Sequence, residues 1–294
     1  MRKGKHLSYE HKKKWIGFSF IIPWLIGCST FFLRPFLETL RYSLSNVRVL
    51  DEGVQIDFIG LENYIAAFTG DEQFLPLFLE SIGNTLYQVP IILLFSLFIG
   101  VILNQEFHGR TFFRAVFFMP VIIASGVVIS LIRGDGYSDV LIGGGAMFEA
   151  SSFETLLLQA GVDEKLVEGM MLIINNIFEL SWKSGVQILV FIAGFKTISP
   201  ALYEVARIEG ANAWETFWKV TIPLLSPVII VNLVYTIVDT FSDYRNGMVM
   251  YIQDTMSKLN IANASAMAWI YFLSVLIITV IVFGVVSRKT FSYN

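Results

Sequence analysis

Residues 199–223, with the sequence SPALYEVARIEGANAWETFWKVTIP, decide the fold of this chain. Ser199 followed by Pro200 is typical of a helix start, because serine caps the first turn and proline is tolerated at the first helical position. Gly210 can take the left-handed conformation that ends a helix. The first half of the segment therefore predicts a short helix over residues 201–209.

The second half of the segment predicts another helix. Asn212 is typical of an N-cap, and Glu215 three residues later can return the second hydrogen bond of a capping box. Pro223 then opens a long apolar stretch. We therefore expect a helix–turn–helix shelf at a membrane surface, where aromatic side chains are favoured. Its second arm carries Trp214, Phe217 and Trp218.

The composition agrees with a membrane protein. Of the 294 residues, 55% are hydrophobic and only 15% are charged, whereas a soluble domain usually has about a quarter charged residues. Apolar stretches long enough to cross a bilayer predict six transmembrane helices. They cover residues 15–33, 84–103, 112–132, 170–192, 223–238 and 266–286. The predicted fold is an all-α polytopic membrane protein, with the shelf between helices four and five.

The basic residues predict the orientation. Residues 1–14 are strongly basic, and placing them in the cytoplasm puts the larger share of the 21 Lys and Arg residues inside. Both termini of a six-helix chain are then cytoplasmic. Two long outer segments, residues 46–81 and 134–168, show no obvious strands, and loops of this length usually bind a partner or are partly disordered.

The first apolar stretch allows two interpretations. A basic start followed by Leu25-Ile26-Gly27-Cys28 is also typical of a lipoprotein signal with a lipidated cysteine. Apolar sequence continues past Cys28, however, and the rest of the chain is itself apolar. An uncleaved transmembrane helix is therefore favoured.

Several function classes are excluded. The single cysteine forms no internal disulfide framework, and no Cys/His cluster has zinc spacing, so we expect no metal and no cofactor. A net charge of −3 gives no nucleic-acid footprint. The sequence contains no G-x-x-x-x-G-K-S/T motif, so the chain has no phosphate-binding P-loop of its own.

Polar residues inside predicted spans are costly and are therefore candidates for function. The fourth span carries Asn175, Asn176, Glu179, Trp182, Lys183 and Gln187. The fifth carries Asn232, Tyr235, Asp239 and Asp243, spaced three to four residues apart, so one helix face can line a cavity. Amides, carboxylates and aromatic rings together suit a sugar. The weaker candidates Asn84 and Gln88 lie in the second span.

Two other interpretations of these groups stay open. They can satisfy one another between helices, with Glu179 and Lys183 paired at i, i+4. An intramembrane aspartyl enzyme using Asp239 and Asp243 is also conceivable, although it leaves residues 199–223 unexplained. No residue is assigned as catalytic.

The stretch from Pro200 to Ala211 closely resembles the EAA motif of ABC importer permeases, which reads E-A-A, three residues, G, nine residues, then I-x-L-P. Glu204 and Ala206 match its opening, Gly210 matches its glycine and Pro223 its proline. The departures conserve charge and helix register. They are Val205 for the second alanine, Val220 for isoleucine and Ile222 for leucine.

Further features extend the resemblance over nearly the whole chain, towards the maltose- and glycerol-phosphate-type carbohydrate permeases. They are Gly60-Leu61-Glu62-Asn63-Tyr64, Phe112-Phe113-Arg114, Met119-Pro120, and Trp182 with Gly185. The resemblance implies that residues 15–292 form the transmembrane domain of an ABC importer in the bacterial cytoplasmic membrane. The substrate it implies is a sugar, most specifically an oligosaccharide, with a glycerol phosphate ester as the alternative.

The resemblance also implies partners. In such permeases residues 199–223 form a coupling loop that sits in a groove of a cytoplasmic ATPase dimer, and ATP-driven closure of that dimer rocks the transmembrane helices. The residues assigned to this coupling are Tyr203, Glu204, Ala206, Glu209, Gly210, Ala211 and Pro223. A second homologous permease and an extracytoplasmic solute-binding protein complete the expected assembly. The substrate pathway is assigned to Asn232, Tyr235, Asp239, Asp243, Asn176 and Trp182.

Overall fold

The computed structural model describes residues 9–50, 53–123, 157–161 and 163–288. Several expectations lie outside these residues: the end of the third span at residues 124–132, most of the second outer segment, and both ends of the chain. The chain divides into two compact units. Unit 1 contains residues 1–82 and 243–276, and unit 2 contains residues 83–242 and 277–294.

Unit 1 begins with one long helical segment. Helix α1 (Tyr9–Cys28) passes through a π turn (Ser29–Leu33) into α2 (Arg34–Ser43). The apolar part, Lys13–Ser43, has 31 residues and is long enough to cross a membrane. The helix continues through Cys28 without a break, and the uncleaved span stays a prediction.

A β-hairpin follows and corrects the all-α prediction. Strand β1 (Ser45–Leu50) pairs antiparallel with β2 (Gly53–Phe58), with Leu50 opposite Gly53 and Ser45 opposite Phe58. Val47, Val49, Val54 and Ile56 alternate with polar residues, which is the pattern of a half-buried strand. The hairpin was missed because a search for long apolar stretches passes over strands of six residues.

The segment around Asn63 has a clear structural role. Helix α3 (Glu62–Thr69) starts after Gly60, whose φ of +70° favours glycine. The buried Asn63 amide donates to the carbonyls of Ser43 and Ser45 at 3.0 and 2.9 Å, and the Tyr64 hydroxyl bonds to Ser43 Oγ at 2.8 Å. These bonds tie α3 to the turn between α2 and the hairpin.

Unit 1 contains a second polar contact, between Asp71 and Tyr251. Helix α4 (Phe74–Asn104) begins ten residues before the predicted second span, so the first outer segment is shorter and more ordered than expected. The hydroxyl of Tyr251 donates to Asp71 at 2.7 Å. Burial, together with the neighbouring carboxylate of Asp71, raises the pKa of Tyr251 to about 12, so this hydroxyl stays a neutral donor at physiological pH.

Unit 2 holds most of the remaining helices. In chain order the helices that follow α4 are α5 (Arg110–Ile123), α6 (Glu164–Lys183), α7 (Gly185–Thr197), α8 (Pro200–Ile208), α9 (Ala213–Thr216), α10 (Ile222–Ser242), α11 (Gly247–Ser257) and α12 (Ile261–Ser287), of which α11 and the first part of α12 belong to unit 1.

The predicted fourth span is interrupted. Helix α6 ends at Lys183 and α7 begins at Gly185, with Ser184 between them. A Ser-Gly pair is a common site for a break, since the serine hydroxyl bonds to the preceding turn and glycine adds freedom. Ser184 Oγ bonds in this way to the carbonyl of Leu180.

The core of unit 2 lies between α7 and α10, which run antiparallel. Phe191, Phe195, Ile198 and Leu225 form a buried cluster. At Gly194 the two helices come so close that a Cβ would stand 2.8 Å from a methyl group of Val228. Glycine at this position is what allows α7 to lie against α10.

The described residues contain four helical segments that are long and apolar enough to cross a membrane, or five if α7 and α8 form one bent span. The four are Lys13–Ser43, Phe74–Asn104, Ala213–Ser242 and Ile261–Ser287. The prediction of six transmembrane helices therefore stays a prediction.

Replacement of Gly194 by alanine tests this packing. The added methyl meets the β-branched Val228, which has little rotamer freedom to yield, so we expect a loss of about 1–3 kcal/mol in the free energy of unfolding. Thermal unfolding in detergent measures the loss. Gly83→Ala is the matched control, because no atom lies within 4 Å of a Cβ there. Equal melting temperatures for the two variants would contradict the close approach.

Candidate functional site

Helix α8 leaves the helix before it at a sharp angle. The axes of α7 and α8 differ by 66°, and Ser199 between them has extended backbone with Pro200 at the first helical position. The helix start is therefore where the sequence predicts it. Ser199 makes no side-chain capping bond, however, so the proline and the bend define this start and the predicted hydroxyl cap is wrong.

The two faces of α8 differ in exposure. Tyr203 packs its ring against the Phe191 cluster, and Ala206 is buried. On the opposite face the apolar side chains of Leu202, Val205 and Ile208 are 39%, 51% and 86% exposed. We call these three residues the apolar face of α8. Glu204 and Glu209 are also exposed. The helix is thus packed against unit 2 through Tyr203 and Ala206, and its apolar face is exposed.

The turn after α8 confirms the role predicted for glycine. Gly210 has φ of +81°, and its N–H donates to the carbonyl of Arg207 at 3.0 Å. The N–H of Ala211 donates to the carbonyl of Ala206 at 2.9 Å. These bonds satisfy the last carbonyls of the helix, as expected for a left-handed helix end.

The capping box of the second arm is also confirmed. Asn212 Oδ1 accepts from the N–H of Glu215 at 2.9 Å, and the Glu215 carboxylate accepts from the N–H of Asn212 at 3.1 Å. These two reciprocal bonds fix the start of the helix.

The second arm is not a separate helix, which corrects the expected shelf. Helix α9 continues through a π turn (Phe217–Thr221) into α10, and Ala213–Ser242 forms one helical segment of 30 residues. Pro223 therefore lies inside this segment rather than opening a new one. The exposed rings of Trp214 and Trp218 lie at its start, 5.6 Å apart.

The polar stripe predicted on the fifth span is divided by the structure. Asn232 is completely buried, and its amide donates to the backbone carbonyl of Gln187 on α7 at 3.0 Å. Tyr235 and Asp239 are exposed and interact with each other. The residues therefore do not line one cavity as a unit. Asn232 contributes to helix packing, whereas Tyr235 and Asp239 remain candidates for the pathway.

Asp243 lies beyond the end of α10, so the expected pair of carboxylates at i, i+4 on one helix is not formed. Its carboxylate accepts from Arg245 Nε at 3.2 Å and from a terminal guanidinium nitrogen at 3.1 Å. This ion pair neutralises the charge of Asp243.

A cavity of about 180 Å³ lies between α4 and α6. Lys183 Nζ lies 2.8 Å from a carboxylate oxygen of Glu179 and donates to Gln88 Oε1 at 3.2 Å. The lysine side chain is only 15% exposed, whereas the glutamate is half exposed. The cavity is lined by Tyr87, Gln88, Ile91, Ile92, Asn176, Glu179, Leu180 and Lys183.

Sequence reasoning found part of this cavity. Asn176 was assigned to the pathway, and the pairing of Glu179 with Lys183 is confirmed. Trp182, assigned with them, is half buried and does not line the cavity. Tyr87 and the contact of Gln88 with Lys183 were missed. A lone lysine in an apolar helix was the available signal, because it needs acceptors from a neighbouring helix.

Comparison with known proteins decides the family. Residues 180–288 match the family described as binding-protein-dependent transport system inner membrane component. The probable ABC transporter permease protein YesP of Bacillus subtilis is 30% identical over 100% of this chain and 94% of its own length. The chain belongs to the binding-protein-dependent ABC transporter permeases. The match covers α7, α8 and α10, which carry the anchored helix and its turn.

Two further proteins resemble this permease. The multiple sugar-binding transport system permease protein MsmF of Streptococcus mutans is 31% identical over 74% of this chain and 71% of its own length. A crystal structure of a bacterial ABC transporter involved in the import of the acidic polysaccharide alginate matches with a TM-score of 0.69 at 19% identity, covering 96% of this chain and 98% of that one. The permease thus shares the fold of that transporter chain, and it is a membrane transport component rather than an enzyme.

Replacement of Lys183 by methionine tests the cavity of this permease. Glu179 and Gln88 lose the cation they share, so we expect a loss of roughly 1–3 kcal/mol in the free energy of unfolding. Thermal unfolding of the purified permease measures it. The double variant Lys183→Met with Glu179→Gln removes both charges and should recover part of the loss. A double variant less stable than Lys183→Met would contradict the ion pair.

Proposed function

We propose that this permease forms one half of the membrane pore of an ABC importer that carries an oligosaccharide across the bacterial cytoplasmic membrane. The observation that carries the proposal is the apolar face of α8. Its three large apolar side chains are exposed, while Tyr203 on the other face packs against the Phe191 cluster. Such a surface is costly unless a partner covers it.

The partner proposed for this surface is a cytoplasmic ATPase subunit, one of a dimer. The apolar face of α8 fills a groove of the ATPase, and the exposed Glu204 and Glu209 make polar contacts at its rim. A push on α8 passes through Tyr203 into the Phe191 cluster and so into both α7 and α10. Interfaces of packed helices respond to such a push by switching between discrete arrangements, which is the basis of alternating access.

The topology that goes with this function has six transmembrane helices and both termini in the cytoplasm. Residues 1–14 form the basic cytoplasmic start, and residues 15–292 form the transmembrane domain. The coupling loop covers residues 199–223, and the two outer segments cover residues 46–81 and 134–168. The excess of Lys and Arg on the proposed inner segments supports this orientation.

The remaining partners follow from the family. A second, homologous permease completes the pore, and an extracytoplasmic solute-binding protein delivers the substrate. The description of the family as binding-protein-dependent supports the latter. The hairpin with α3, tied together by Asn63, offers an ordered outer surface on which such a protein can dock.

The chemistry of the cavity supports a neutral sugar as substrate. Gln88 and Asn176 can bond to hydroxyl groups, and the ring of Tyr87 can lie against the apolar face of a sugar. The charge of Lys183 is compensated by Glu179, so the cavity offers no net positive charge to a phosphate ester. The relative MsmF is described as a multiple sugar-binding transport system permease protein, which also supports a sugar as the substrate.

The size of the cavity indicates how an oligosaccharide passes. Pockets that bind whole small molecules usually have about 300–1,000 Å³, and the cavity has about 180 Å³. It therefore holds one sugar unit at a time. Tyr235 and Asp239, exposed on α10, are proposed to contact the sugar in passing.

Mild affinity purification from native membranes, followed by mass spectrometry, tests the assembly. We expect an ATPase, a second permease of similar size and a solute-binding protein to copurify, because the apolar face of α8 needs cover. Recovery of the chain alone, from membranes in which a control importer stays assembled, would contradict the proposal. Ligand screening on the recovered binding protein then identifies the sugar.

Charge reversal at Glu204 tests the coupling surface. Glu204→Lys should leave membrane insertion intact but reduce ATP-driven transport roughly tenfold or more, since a mismatched charge at a docking surface costs more than about 1.4 kcal/mol. Transport and ATP hydrolysis are measured together in proteoliposomes. Glu106→Lys is the control, because Glu106 is an exposed carboxylate outside the coupling loop. Unchanged transport by Glu204→Lys would show that α8 is not the coupling helix.

A further inference from the structure

Two buried side-chain amides of unit 2, those of Gln187 and Asn232, carry polar atoms that have no hydrogen-bond partner among the described residues. Gln187 on α7 is completely buried, and neither its Nε2 nor its Oε1 has a partner in the structure described. Asn232 on α10 is also completely buried, and its Oδ1 has no partner there either. Only the Asn232 amide nitrogen is satisfied, by the backbone carbonyl of Gln187 at 3.0 Å.

This arrangement is unfavourable where it stands. Buried polar atoms in native proteins nearly always have a partner, and each exception requires an explanation. The cost is largest in a membrane core, where water is scarce. Donor and acceptor are, however, complementary: Gln187 Nε2 can donate to Asn232 Oδ1. If the two side chains meet, Asn232 Nδ2 exchanges the Gln187 backbone carbonyl for Gln187 Oε1, and all the polar atoms of both amide groups then have a partner.

The packing of α7 on α10 shows how they can meet. Leu225 packs beside Phe195, Gly194 lies against Val228, and Gln187 bonds to Asn232, so the helices are antiparallel. A helical side chain leans towards the N-terminus of its helix, whereas its carbonyl points towards the C-terminus. The Gln187 side chain therefore lies on the N-terminal side of the carbonyl that Asn232 now binds. A slide of α10 towards its own C-terminal end brings Asn232 alongside it.

A slide is available to this helix pair in steps set by helix geometry, about 1.5 Å for one residue and about 5.4 Å for one turn. Glycine at position 194 keeps the surface of α7 smooth at the closest approach. The segment that would push α10 is already attached, because Ala213–Ser242 is one continuous helix starting at the coupling loop.

We propose that Gln187 and Asn232 are a positioning pair for the transport cycle, whose side-chain amides bond to each other in the ATP-bound state and stay apart in the state described here. The pair gives the ATP-bound arrangement a hydrogen bond that the arrangement described here lacks. This inference rests on the proposed importer function, because the coupling loop supplies the displacement. An ordered water bridging the amides in both states is the competing explanation.

Gln187→Leu separates the two explanations. Leucine removes an unsatisfied amide from the resting state and a hydrogen bond from the ATP-bound state. We expect the melting temperature of the nucleotide-free complex to rise and the transport rate to fall roughly fivefold to tenfold, the factor that one hydrogen bond corresponds to. If a bound water satisfies the amides in both states, the melting temperature falls instead, and the pair is then only structural.

Ser226→Ala is the matched control. Ser226 lies on α10, and its buried hydroxyl also has no partner in the part of the chain that the structure describes. Its removal should raise the melting temperature in the same way but leave the transport rate unchanged, since it is not one of the two amides. An equal fall in transport rate for Ser226→Ala would mean that any stabilisation of the resting state slows transport, and would overturn the pair.

The deciding measurement is a structure of the assembled complex held with a non-hydrolysable ATP analogue. We expect Gln187 Nε2 and Asn232 Oδ1 at hydrogen-bonding distance, about 3 Å. Amides that remain apart, or that share a water molecule in both states, would overturn the proposal. This result is independent of the substrate. ATP-driven sugar uptake by the unchanged complex in proteoliposomes tests the proposed function separately, so uptake by a complex whose amides stay apart would overturn the pair alone.

Discussion

The close packing of α7 against α10 at Gly194 is the constraint on which the rest of unit 2 depends. Leu225 and Phe191 can be almost completely buried only because the two backbones approach at this glycine. Every part of the candidate site is attached to this pair. Helix α8 leaves the end of α7, the second arm runs into α10, and Lys183 stands one residue before the break that precedes α7. The contact at Gly194 therefore lies between residues 199–223 and the cavity along the same two helices.

Proline provides the second constraint, and it acts through the backbone. Each of the two π turns, Ser29–Leu33 and Phe217–Thr221, is followed two residues later by a proline, Pro35 and Pro223. A proline inside a helix has no N–H, and its ring would clash with the carbonyl four residues back, so a wider turn relieves the clash. At the second site Thr221 Oγ1 also bonds to the carbonyl of Thr216 at 3.4 Å and to the hydroxyl of Tyr203 at 3.3 Å. The helix thus stays continuous from Ala213 to Ser242, although it contains a proline.

The sequence predicts local structure more reliably than contacts between distant helices. The local signals at Gly210 and at Asn212 with Glu215 are satisfied within a few residues, and they were predicted correctly. The hairpin at residues 45–58 was missed because its short alternating pattern was weighed against long apolar helices. The continuity of the second arm was missed because proline was taken as a helix boundary, whereas the π turn accommodates the proline within the helix.

Contacts between distant helices could not be predicted from the sequence. Spacing along one helix places Asn232, Tyr235 and Asp239 near one face, but it cannot show that α7 covers Asn232. Likewise, the contact of Lys183 with Gln88 joins residues 95 positions apart, and only the packing of α4 against α6 brings them together.

The polar groups of unit 2 fall into two classes that a membrane treats differently. Those in the cavity, such as Glu179 and Lys183, form a neutral pair whose glutamate is half exposed, so that water or a substrate hydroxyl can complete its hydrogen bonds. Those between α7 and α10 have no such access, because Gln187 and Asn232 are completely buried. Leaving a buried acceptor or donor unsatisfied costs about 1–3 kcal/mol, and burying an uncompensated charge costs more. The ion pair of the cavity therefore lies where water can reach it, whereas the sealed interface between α7 and α10 holds neutral amides, which cost less to bury than a charge.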